Sequence, residues 1–177
     1  RFLMVSVSVF GAAFVFWHKI PAVAPGPVSI YQKNILHGNQ ELDKLAQDIL
    51  AADPDFVTLQ EISHSGEALL EQLQTAYPHQ LWCRYSALSG VAVLSQTEFL
   101  GEGVCGRGYG KALITVDLPI GRFHVAAVHL AWPFPGDQPD QVKALLADLD
   151  KLTDPILIGG DFNMVPWSDA LTQIARA

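Results

Sequence analysis

The sequence has few charges, and its positive ones are not clustered. Charged residues make up 16% of the 177, with 11 Lys and Arg against 18 Asp and Glu, for a net charge of −7. The broad basic footprint that grips duplex DNA without regard to sequence is therefore missing. A phosphate-bearing ligand is not excluded, because a bound cation can supply positive charge locally. Cysteine is scarce too. Cys83 and Cys105 show neither zinc-type spacing nor a C-x-x-C pair. Two buried thiols is the plain reading, since free Cys is usually buried. A single disulfide is the alternative, and the redox compartment stays open. There is no internal repeat, no low-complexity tract and no G-x-S-x-G nucleophile elbow.

Two apparent phosphate-binding motifs fail on context. Gly101-Glu-Gly-Val-Cys-Gly106 has the G-x-G-x-x-G form, but no helix follows it. Gly110-Lys111 lacks the preceding glycine of a P-loop, and Ala112 stands where Ser or Thr is needed. The glycines from Gly101 to Gly110 read instead as a mobile loop.

Apolar residues are plentiful, at 50% of the chain, and the excess gathers at the N-terminus. Phe2 to Trp17 is uncharged and apolar, with His18 and Lys19 after it. Three readings compete: a transmembrane helix over residues 1–19 or its C-terminal part, a signal peptide, and a buried helix. The length of the run favours the first. A first residue other than Met suggests that the run continues upstream. Residues 20–27, with Pro21, Pro25, Pro27 and Gly26, read as a linker. Arg1 and Lys19 flank the run on opposite sides, so the orientation across a membrane stays undecided.

From residue 28 to 177 the chain alternates helix and strand patterns around a β-rich middle. Strands are expected over Val28–Lys33, Phe56–Gln60, Gln80–Tyr85, Gly90–Leu94, Thr97–Leu100, Ala112–Leu118, Arg122–Leu130 and Pro155–Gly159. Helices are expected over Glu41–Ala52, with Leu42, Leu45, Ile49 and Leu50 on one face, and over Ser65–Ala76, Asp137–Leu152 and Ser168–Ala175. This is an α/β protein with a mixed sheet and antiparallel pairing.

Polar groups recur where strands end. Asn34, Glu61, His129 and Asp161 each stand at or near the close of an apolar strand. One such residue is usually a turn or cap. Four together suggest a site at one edge of a rigid sheet. Asp161 and Asn163, two apart, share a face if the chain is extended, and Phe162 points to the core. Gly159 and Gly160 leave room for a ligand to approach the backbone. Glu61 is a hard oxygen donor that suits Mg²⁺ or Mn²⁺, and the set lacks the His-rich ligand pattern of a zinc site.

These segments resemble the endonuclease/exonuclease/phosphatase, or DNase I-like, superfamily. The resemblance is carried by Gln32-Lys-Asn34, Asp55-Phe-Val-Thr-Leu-Gln-Glu61, Gly90-Val-Ala-Val-Leu-Ser95, Val128-His-Leu130 and Gly159-Gly-Asp-Phe-Asn163. It implies a four-layer α/β sandwich and a Mg²⁺-dependent (or Mn²⁺-dependent) phosphoesterase. It implies Glu61 as the main metal ligand, with Asn34 touching the metal or a phosphate oxygen. Asp161 would orient or activate water, and Asn163 would hydrogen-bond the phosphate. His129 would contact the scissile phosphate or protonate the leaving group.

The apolar run with its Pro-rich linker is similar to membrane-anchored bacterial members, which implies the inner membrane with the side of the domain open. Gln96 stands where the family usually carries a basic residue. The family's closing Ser-Asp-His segment does not occur, so residues 28–177 read as the N-terminal part of the domain, with little or no activity expected from this chain alone. The alternative is a noncatalytic scaffold that keeps the fold. Substrates consistent with the sequence are nucleic acid, phospholipid or a small phosphoester, and no protein partner follows from it.

Overall fold

The computed structural model describes residues 26–86 and 88–177. The apolar helix expected over 1–19 and most of the linker over 20–27 lie outside the described residues. Among the described residues no helix is long and apolar enough to cross a membrane.

The chain runs β1 (Ile30–Asn34), α1 (Leu42–Ala52), β2 (Phe56–Gln60), a 3₁₀ turn (His64–Gly66), α2 (Glu67–Leu73), β3 (His79–Arg84), β4 (Gly90–Ser95), β5 (Val104–Cys105), β6 (Gly110–Leu118), β7 (Gly121–His129), α3 (Gln138–Leu149), β8 (Ile156–Asp161) and α4 (Asp169–Ile174). Two four-stranded sheets form, in the orders β1-β2-β4-β3 and β5-β6-β7-β8. In each sheet one pair is parallel, β1 with β2 and β7 with β8, and a helix makes the crossover.

Three apolar clusters set the layers. Leu45 and Ile49 of α1 and Leu69 and Leu73 of α2 pack on Val57 and Leu59 of β2. Phe56, Val91 and Val93 meet Ile114, Val116 and Val125 between the sheets. Val142, Leu145 and Leu149 of α3 cover Ala126 and Val128. The result is the four-layer sandwich: helices, sheet, sheet, helices. Alternation along β2 explains the split, because successive side chains of a strand point to opposite faces.

Several local expectations change. Leu50 is exposed, and Ala46 takes the inward position beside Ile49. Thr97–Leu100 forms no strand; only an isolated bridge joins Phe99 to Val116. The glycine-rich stretch is not a free loop, since Val104 and Cys105 pair with Leu113 and Ala112 of β6. Cys83 and Cys105 form a disulfide, so the reading of two buried thiols is corrected. The bridge joins β3 to β5, the matching edge strands of the two sheets. Such a cross-link, closing a separation of 22 residues, stabilises by about 3 kcal/mol in the chain-entropy account.

On the outer face of the second sheet, Lys111 is only 3% exposed. Its ammonium pairs with Asp148 of α3, whose other oxygen takes Lys151 at 2.9 Å. Lys111 holds the Asp148 carboxyl below the usual carboxylate range, against the opposing effect of burial and with further help from Lys151. A depressed folded value means stabilisation that is complete above the unfolded value, about 3.9, and lost as pH falls through the lower folded one. Asp148→Asn is therefore expected to cost on the order of 3 kcal/mol at pH 7 by stranding a buried ammonium. Urea titrations of both proteins check this, and the gap between them should shrink below about pH 4.

Candidate functional site

The two parallel strand pairs bring four carboxyl ends to one edge of the sandwich. Asn34 lies opposite Gln60 in register, and Glu61 follows directly. His129 lies opposite Asp161 in the facing sheet. Residues distant in sequence thus meet because both sheets present the same end, and crossover helices fix that polarity.

Asn34 is the bridge. Its Nδ2 donates to Glu61 Oε1 at 2.8 Å and, across the sheets, to Asp161 Oδ2 at 2.9 Å. Its Oδ1 accepts from Leu36 N–H at 3.0 Å. The carboxamide therefore clamps two carboxylates together, with its own oxygen already engaged. Glu61 stands in the left-handed region, at φ 61°, a conformation that costs energy and gathers at functional sites. Burial pushes its carboxyl up, but the Asn34 amide, the His37 ring and backbone N–H, and the nearby His129 together bring it below its ordinary value. It is ionised at neutral pH.

Donor atoms of Glu61, His129 and Asp161 all lie within 4.8 Å of one another. They sit in a pocket of about 550 Å³, and no Lys or Arg is among the described residues that line it. Converging carboxylates without a cationic side chain suit a hard divalent cation with oxygen ligands. Two carboxylates and one imidazole fit a divalent cation and not a soft, thiolate-seeking one.

Asn163 reaches the site by a different route from strand alternation. Its φ is 49°, and its N–H donates to Asp161 Oδ1 at 2.9 Å, so the chain turns after Asp161. An aspartate commonly closes such a turn on the backbone two residues on. One amide hydrogen of Asn163 is given to Leu130 O at 2.8 Å, and Nδ2 lies 3.4 Å from His129 Nε2. Phe162 packs in the cluster beneath α3.

The glycines before Asp161 do not open a path for a ligand. A Cβ on Gly159 would lie 2.1 Å from Thr58 Oγ1, and one on Gly160 would lie 2.4 Å from Val128 O. The protein itself fills that space. Gln96 is likewise remote from the pocket: its Nε2 donates to Asp53 and Pro54, beyond the Phe56↔Ser95 pair and at the far end of β2 from Gln60. A basic residue there would not face this site.

Sequence reasoning missed Tyr85, Ser89 and His37. Tyr85 Oη lies 2.5 Å from His129 Nδ1 and 2.7 Å from Ser89 Oγ. Burial raises the phenol's pKa; the Ser89 hydrogen bond opposes this, and the charges of Glu61 and Asp161 add to the rise. The hydroxyl keeps its proton at neutral pH and can give it to only one neighbour. The direction of the Tyr85–Ser89 hydrogen bond is thereby coupled to which nitrogen of His129 carries hydrogen. The available signal was that Tyr85 also closes a strand.

The Endonuclease/Exonuclease/phosphatase family matches residues 32–177. Solved structures share the fold. TDP2 from Caenorhabditis elegans superposes with a TM-score of 0.60 at 15% identity, over 78% of this chain and 48% of that one. The chain therefore spans about half the length of that relative. The human nocturnin catalytic domain with bound sulfate gives a TM-score of 0.67 at 21% identity, over 85% and 70%. A variant of beta toxin from Staphylococcus aureus with bound magnesium ions gives 0.64 at 16%, over 84% and 69%. No curated protein sequence matches the chain.

Proposed function

The chain belongs to the endonuclease/exonuclease/phosphatase family, and on that premise we propose that it is part of a phosphoester hydrolase that works with Mg²⁺ or Mn²⁺. The observation that carries the reading is the convergence of Glu61, Asp161 and His129 within 4.8 Å in a pocket lined by no described Lys or Arg. Glu61 and Asp161 would hold the cation, and Asn34 keeps their oxygens together. When bound, the cation supplies Lewis acidity and offsets charge on the phosphate. The sulfate on nocturnin and the magnesium on beta toxin support the same class of ligands here.

The remaining groups divide the reaction. Water adds its oxygen to phosphorus while the ester P–O bond opposite breaks. A carboxylate oxygen of Asp161 would orient that water and take its proton. The leaving oxygen needs a proton, and His129, whose Nδ1 lies 2.5 Å from Tyr85 Oη, would supply it. Asn163, which gives one amide hydrogen to Leu130 O, would turn the other from His129 Nε2, 3.4 Å away, to a phosphate oxygen. The Cys83–Cys105 disulfide supports an oxidising, extracytoplasmic compartment. That is the outer side of any membrane which the run Phe2–Trp17 anchors.

Hydrolysis of bis(p-nitrophenyl) phosphate by a protein carrying the complete domain tests the reading. Release of p-nitrophenolate should require Mg²⁺ or Mn²⁺, stop on chelation and resume on adding the metal back. Cation binding is followed separately by calorimetry. Release indifferent to chelation, or no cation binding at all, rejects the assignment.

A further inference from the structure

The pocket that holds the carboxylates has a second character. The loop leaving β7 contributes Trp132, Pro135 and Gly136 to its lining. Trp132 is 67% exposed and Phe134, two residues on, 88%. Large aromatics this exposed at the mouth of a pocket are a mark of ligand binding.

The loop is held at its root. Ala131 N–H donates to Gln141 Oε1 at 2.7 Å, and Ala131 O accepts from Gln138 Nε2 at 2.5 Å. Gln138 is 2% exposed and also donates to Phe162 O at 2.9 Å. Leu130 O is taken by Asn163. Gly136 packs so near the Trp132 carbonyl that a Cβ there would lie 2.4 Å from its oxygen. Two glutamines from the start of α3 are thus committed to the peptide groups flanking Ala131, next to Trp132. The exposed indole is presented by a fixed support.

The charge pattern narrows the ligand. The described lining includes Glu61 and Asp161 but no Lys or Arg, so a second phosphate finds no cationic partner there. We propose that Trp132 is a specificity-determining residue: its indole face receives an uncharged planar group carried by the phosphoester, while the phosphate sits at the carboxylates. The proposal rests on the phosphoester reading above and adds what the phosphate is attached to. Stacking is tolerant of the identity of the ring and contributes about tenfold in affinity.

Calorimetry with the full chain in saturating Mg²⁺ tests it, with phenyl phosphate and methyl phosphate as probes. The wild type should bind phenyl phosphate about tenfold more tightly. Trp132→Ala should lose that preference and bind methyl phosphate as the wild type does. Trp132→Phe should keep most of the preference. Equal binding of the two probes by the wild type, or a preference that survives Trp132→Ala, overturns the proposal and leaves the phosphoester reading standing. Binding of neither probe overturns both.

Discussion

Replacing Glu61 by Gln is expected to weaken Mg²⁺ binding more than about a hundredfold and, in a protein carrying the complete domain, to abolish cation-dependent hydrolysis, with only a modest loss of thermal stability. Removing only an outer partner of a metal ligand costs 10–100-fold, so removing a charged donor should cost more. The substitution keeps the shape of the side chain and deletes its charge. Asn34 Nδ2 still meets an oxygen at the Oε1 position, 2.8 Å away in the native protein. His37 N–H, which now donates to Oε2 at 3.3 Å, would face an amide NH₂ instead. The neutral amide also forgoes the stabilisation that Asn34, His37 and His129 give the carboxylate, whose pKa they hold below its ordinary value, so the melting temperature should fall slightly. Calorimetric titration and a melting curve on one preparation separate the two effects. An affinity within threefold of wild type would remove Glu61 from the metal site.

Gly159→Ala is expected to destabilise the fold by about 3 kcal/mol, lowering Tm by roughly 10 °C, and to impair the site as well. The new Cβ would lie 2.1 Å from Thr58 Oγ1, 3.1 Å from Thr58 Cβ and 3.2 Å from Gln32 Cγ. Turning the Thr58 Cβ hydrogen inward removes the hydroxyl contact only, since its Cβ, 3.1 Å from the new atom, stays where it is. The sheets must separate instead. The Asn34–Asp161 hydrogen bond, 2.9 Å long, spans that gap and would lengthen. Gly38→Ala is the matched control, since a Cβ there meets nothing within 4 Å. Scanning calorimetry showing Gly159→Ala and Gly38→Ala equally stable would contradict the close-packing account.

Each of these effects begins at a residue that the sequence singles out, but the reason differs from the one the sequence suggests. Glu61 stands out as an acid after an apolar strand. Its left-handed backbone and its Asn34 clamp are invisible in one dimension. Gly159 stands out as a small residue before an acid, and it reads as space for a ligand. The space belongs to Thr58 from the other sheet. Asn163 lies near Asp161 as the spacing suggests, through a turn closed by the Asp161 side chain and not through strand alternation. Leu50 fits a helical stripe but points outward, and Ala46 is buried in the core cluster with Leu45 and Ile49.

The sequence by itself determined most of the local elements, the strand ends that carry Asn34, Glu61, His129 and Asp161, and the likeness to a family. These are legible because hydrophobic period and a polar strand end are properties of a few consecutive residues. Only the tertiary structure decided that Tyr85 meets His129, that Asn34 meets Asp161, and that Cys83 meets Cys105. Those pairs join residues up to 127 positions apart. Their meeting depends on which strand lies at which edge of which sheet, and on how closely two sheets can approach at a glycine. That information resides in packing between layers, where no local pattern records it.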